Sequence, residues 1–136
     1  MPIPRELLLR VEFDWLAVDR CGHLAVVSTA GAGPIPAEVL KVGTERELTD
    51  PQSVIEALPI LGNARAEGRG PGECTEWIEA GRRGVFVYDW RLNGGPYERI
   101  IVPEAPLVAS LLESEARVAV VNTCFAEAQI INLPRA

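Results

Sequence analysis

A chain of 136 residues, 48% of them hydrophobic and 24% charged, has apolar side chains enough for one core of ordinary domain size and too many for a disordered chain. Its formal net charge of -6 opposes non-specific attraction to phosphate backbones and anionic lipid, so nucleic acid and membrane are disfavoured and basic partners are expected. Three cysteines, odd in number and widely spaced, are unlike the dense, even framework of a small secreted domain and fit a reducing compartment.

Near the start, the apolar run Leu7, Leu8, Leu9 is followed at once by Arg10, Glu12 and Asp14, before a signal-peptide core or membrane span is complete. With the cysteine usage, this gives the expectation of a cytoplasmic protein. Residues 11–18 and 23–29 are β-favouring runs separated by Asp19, Arg20, Cys21 and Gly22, where glycine supplies a positive φ, so they predict a first hairpin. Phe13, Trp15 and Ala17 share one strand face and Leu16 and Val18 the other, so neither face is wholly polar and both are expected to be partly covered. Gly31, Gly33, Pro34 and Pro36 end the second strand.

Asp50 before Pro51 fits an N-cap and first helical position, and Val54, Ile55 and Leu58 fall on one face of a short helix that Pro59 interrupts. Residues 62–72, with Asn63, Gly68, Gly70 and Pro71, read as a loop. Residues 73–80 separate on a helical wheel: Cys74, Trp77 and Ile78 form an apolar arc, Glu73, Glu76 and Glu79 lie opposite, and Gly81 is the expected cap. Residues 85–90 and 97–102, flanking Asn93, Gly94, Gly95 and Pro96, predict a second hairpin. A short helix at 110–116 and strands at 118–121 and 129–133 complete the prediction. The expected architecture is one α+β domain over residues 1–136, a mainly antiparallel sheet built from hairpins with two or three short helices.

Reactive chemistry is sparse. His23 is the only histidine, so a site of several imidazoles cannot form within one chain. Cys21 and His23, two apart on an extended segment, project to one side and offer a thiolate–imidazole pair for nucleophilic catalysis. Gly22 between them favours a turn residue beside the start of a strand instead. Cys21, His23, Cys74 and Cys124 have permissible zinc-ligand chemistry but lack paired-cysteine spacing, and no metal site is assigned. Gly31-Ala32-Gly33-Pro34 lacks the third glycine of a dinucleotide fingerprint and the lysine of a P-loop, while Pro34 and Pro36 remove amide donors, so no cofactor is expected. The stripe of Glu73, Glu76 and Glu79 is a solvated helix face or a receiver for a basic partner. Trp77 belongs with the core, whereas Trp90, near a strand end, is weighed both as buried and as an exposed interface anchor.

The phrases Gly22-His23-Leu24-Ala25-Val26, Thr29-Ala30-Gly31-Ala32-Gly33-Pro34-Ile35-Pro36, Gly84-Val85-Phe86-Val87-Tyr88-Asp89 and Tyr97-Glu98-Arg99 resemble small uncharacterised bacterial proteins, some of them immunity-like partners of polymorphic toxins. The resemblance spans much of the chain and carries no catalytic residues. It implies a non-enzymatic cytoplasmic binding protein that occludes a cognate toxin; the acidic balance suits a toxin with a basic surface, and the residues themselves offer Glu73, Glu76, Glu79 and Trp90 as the partner-binding candidates. Two other readings remain open. One is a small hydrolase or isomerase using a carboxylate or Cys21 with His23, and the other is an oligomeric scaffold in which exposed strand edges pair between identical chains.

Overall fold

The structure, a computed structural model, describes residues 14–19, 21–29, 51–67, 75–90, 97–108 and 124–125. Among the described residues six strands form one mixed sheet: β1 (Asp14–Asp19), β2 (Leu24–Ser28), β3 (Ala64–Ala66), β4 (Phe86–Trp90), β5 (Tyr97–Pro103) and β6 (Cys124–Phe125), in the spatial order β3-β5-β4-β2-β1-β6. Two helices are present among the described residues, α1 (Pro51–Glu56) and α2 (Thr75–Arg82), giving an α+β fold.

The pairs β1–β2 and β4–β5 are antiparallel, with Leu16 opposite Val26 and Trp90 opposite Tyr97. The two pairs meet through a parallel seam between β2 and β4, where Val26 lies beside Val87. That seam, with the parallel pairing of β1 and β6, makes the sheet mixed, and β2 and β4 lie at its centre. Every residue of β2 is buried, as a strand needs to be when both of its faces are covered, which explains why Leu24-Ala25-Val26-Val27 is a continuous apolar run without polar alternation.

On one face, Leu16, Leu24, Val26, Val85, Val87, Ile100 and Ile101 form a core with Val54 and Ile55 of α1 and Ala80 of α2. A register shift between Val87 and Tyr88 lets Ile100 and Ile101 both enter this core, as a bulge permits by setting two residues against one. Trp15, Trp90 and Tyr97 form a second apolar group: Tyr97 meets Trp15 edge-on at 6.1 Å between ring centroids and Trp90 at 4.8 Å. Burial, with the Asp89 carboxylate adding to it, pushes the Tyr97 hydroxyl far above its ordinary value of 10, so it keeps its proton.

Two local expectations change. Within the predicted loop 62–72, residues Ala64–Ala66 pair with β5 as an edge strand; Asn63 and the later glycines hid a run too short to show periodicity. Gly81 is an interior helix residue rather than the cap, because a Cβ there would collide with Ile101 and Ala64, so its bareness lets α2 approach the sheet. The cap is Gly84, at φ +87°, where the Gly84 amide donates to Gly81 O at 3.0 Å and the Val85 amide to Ala80 O at 3.0 Å, the Schellman arrangement that satisfies the last carbonyls of a helix. The turn glycine expected at Gly22 is seen, with φ +81°. The predicted elements at 110–116, 118–121 and 129–133, and the Gly-Pro stretch 31–36, lie outside the described residues.

Candidate functional site

The residues singled out from sequence do not converge. Glu79 is exposed on α2 and ion-paired with Arg82 at 2.9 Å, one turn along the same helix. Glu76 belongs to α2, but its side chain, like all of Glu73, lies outside the described residues. Trp90 is 4% exposed and packed against Tyr97; of the two fates weighed for it, burial is the one observed, because β4 is an interior strand flanked by β2 and β5. Cys21 is exposed in the turn before β2 and is in no disulfide, whereas His23 is half-buried with its ring stacked on Phe86 at 5.9 Å and 22°. Among the described residues, no three histidine, cysteine, aspartate or glutamate side chains come together as a metal site. No described helix is long and apolar enough to cross a membrane.

One end of the sheet instead carries surface that no described element hides. The Leu24 amide donates to Leu107 O at 3.0 Å and the Leu107 amide to Gly84 O at 2.8 Å, and His23 bridges to Val108. The last carbonyl of α2, on Arg82, accepts from the amides of Leu61 at 2.8 Å and Gly62 at 3.2 Å. These bonds bring residues 60–62, the end of α2 and residues 105–108 to the end of the sheet where β2 and β4 begin. The exposed large hydrophobic residues of the described chain all lie here: Ile60 at 53%, Leu61 at 42% and Val108 at 37%. A single exposed aliphatic is ordinary; here three share one end of the sheet, where the segments carrying the Glu79–Arg82 pair and exposed Glu104 also meet.

At the β3 edge lies a polar cluster. Arg99 grips Glu67 with Nε donating to Oε1 at 2.7 Å and Nη2 to Oε2 at 3.4 Å, and Arg65 approaches Oε2 at 3.5 Å. The hydrogen bond from Arg99 holds the Glu67 carboxyl below its ordinary value of 4.5, outweighing the opposing effect of its partial burial. Beside it an open cleft of about 180 Å³ is lined by Asn63, Ala64, Arg65, Val102 and Glu104.

Neither feature was found from sequence. Glu67 and Arg99 are 32 residues apart and meet only because β3 and β5 pair. Ile60 and Leu61 did carry a signal: two large aliphatics directly after Pro59, where the helical face had already been interrupted, belong to no amphipathic pattern. Comparison with known protein families, curated proteins and solved structures finds no match to this chain.

Proposed function

We propose that the chain is a single α+β domain over residues 1–136, its mainly antiparallel sheet built from hairpins, that acts without chemistry of its own as a cytoplasmic protein-binding module. In this reading it works as an immunity protein does, neutralising a cognate bacterial toxin by occlusion. The observation that carries it is the grouping of Ile60, Leu61 and Val108 at one end of the sheet. Apolar side chains desolvated at the centre of an interface supply residence time, and a charged rim selects the partner. The formal net charge of -6 suits a partner with a basic surface, since opposite fields speed encounter and disfavour wrong partners. Glu79 and Glu104 are exposed acids on segments that reach that end, while Glu73 and Glu76 extend the acidic stripe in sequence. Trp90, being buried, takes no part in contact.

Co-expression with the product of the adjacent gene tests the reading. Rescue from toxicity together with a stable complex is expected, and the double substitution Ile60→Asp with Leu61→Asp should weaken that complex by about tenfold or more, as loss of central apolar anchors does. Cys21→Ala with His23→Ala should leave rescue intact. If those changes abolish rescue while the complex persists, occlusion is wrong and chemistry at Cys21 and His23 takes its place. No binding at all removes the proposal.

A further inference from the structure

The outer edge of β3 presents a specific geometry. Among the described residues β3 is the outermost strand of the sheet, and its ladder to β5 is marked by the Glu67 amide donating to Ile100 O at 2.8 Å and the Glu104 amide to Asn63 O at 2.9 Å. In an antiparallel ladder the residues that bond inward alternate with those that bond outward. Asn63, Arg65 and Glu67 therefore turn their backbone groups toward β5, and Ala64 and Ala66 turn theirs away from the sheet. Both outward residues are alanines, whose side chains put no bulk in the way of an added strand.

From this edge we infer a self-association surface: β3 of a second copy adds antiparallel to β3 about a two-fold axis passing through Ala66. A two-fold antiparallel pair must centre on a residue, and the three possible centres differ in what they bring together. Centring on Arg65 lets Ala64 of each copy exchange hydrogen bonds with Ala66 of the other, but it sets Arg65 against Arg65 in the close non-hydrogen-bonded pair, a like-charge pair that destabilises a ladder, and gains no ion pair. Centring on Ala64 places Arg65 opposite Asn63 and gains no ion pair. Centring on Ala66 joins the two Ala66 residues by reciprocal N–H to O=C bonds and places Arg65 of each copy opposite Glu67 of the other, two opposite-charge pairs on one face.

Arg65-Ala66-Glu67 is thus self-complementary about its middle residue, and the side chains are in a state to use it. The Arg65 side chain is 69% exposed, and its contact with its own Glu67 is a loose 3.5 Å. Oε2 of Glu67 is held only at 3.4 Å and 3.5 Å by Arg99 and Arg65, which leaves it room to accept from a third donor. Helix α2 lies over β3 and β5, where Gly81 touches Ala64 and Ile101. With strands spaced about 4.8 Å apart, α2 and its copy come to roughly 10 Å on the same side of the extended sheet, a distance at which helices pack instead of colliding. The charges that blunt this edge against unspecific pairing are the same ones that select a single register.

Sedimentation of the full chain over a concentration series is the test. A monomer–dimer equilibrium is expected for the unaltered chain. Arg65→Glu, an exposed surface change that leaves the fold intact, enters the symmetric interface twice and turns both attractive pairs repulsive, so it should weaken dimerisation by about tenfold or more, with added salt narrowing the difference. Ala66→Pro deletes both central N–H donors and should have at least as large an effect. Ala66→Cys should give a covalent dimer under mild oxidation beyond any formed by the unaltered chain. A chain that stays monomeric throughout, or a dimer that Arg65→Glu does not weaken, overturns the inference. Ile60→Asp with Leu61→Asp, which addresses the proposed toxin surface, should leave the dimer unchanged, so the two readings fail separately.

Discussion

β2 and β3 belong to the same sheet and obey the same backbone geometry, yet they do opposite work. All five residues of β2 are buried between β1 and β4, whereas β3 holds three residues at the margin, with Arg65 and Ala66 exposed and Ala64 alone packed on the core. The contrast lies in the neighbours more than in intrinsic strand preference. A strand with partners on both edges and cover on both faces contributes stability by area removed from water, while a strand paired on one edge keeps backbone donors and acceptors that a further strand can use. In the two proposals above, the sheet centre holds the fold and the margin meets partners, and the sheet end bearing Ile60, Leu61 and Val108 falls with the margin.

The widest separation between the two regions should come from truncating the centre. Leu24 is 0% exposed, so Leu24→Ala is expected to cost about 2–5 kcal/mol through lost burial and a residual cavity, seen as a lower urea midpoint with an unchanged slope. A cost near zero would mean that β2 is not the centre of the core.

Gly81→Ala probes the seam that joins the margin to the body. Alanine in a helix interior gains up to about 1 kcal/mol over glycine, but the added Cβ meets Ile101 and Ala64, and overpacking of this kind costs about 1–3 kcal/mol. Net destabilisation is expected in chemical denaturation, with β3 amides losing hydrogen-exchange protection before those of β2. A stabilised protein would show that α2 does not press on β3.

The smallest effect belongs to the margin itself. Glu67 has its carboxyl lowered by the hydrogen bond from Arg99, with both side chains about 30% exposed. A carboxyl depressed on folding adds stability above its unfolded value near 4.5, and that contribution is lost as pH falls through the lower folded value. Glu67→Gln should therefore cost about 0.5–1 kcal/mol at neutral pH, and the difference should vanish in strong acid. Denaturation curves across that range check it; a difference that persists in acid would assign the cost to packing instead of charge.

Much of the scaffold was legible because it is written locally. The strand cores around β1, β2, β4 and β5, the Pro51 start of α1 with Val54 and Ile55 inward, and the turn glycine at Gly22 all follow from period, strand propensity and backbone sterics over a few residues. The roles of Gly81 and Gly84 were not separable that way. Both are glycines near the end of one helix, and which of them caps it depends on a sheet that comes within touching distance of the other.

The sequence by itself determined an acidic, apolar-rich chain of strands and short helices with few reactive groups, because composition and short-range pattern act on each segment alone. Only the tertiary structure decided the parallel seam between β2 and β4, the burial of Trp90, the Glu67–Arg99 grip across 32 residues and the outward-facing amides of Ala66. Each of these is a contact between segments distant in the chain. Such contacts are fixed by which edges and faces remain to be filled once the local elements exist, a constraint that no single segment carries.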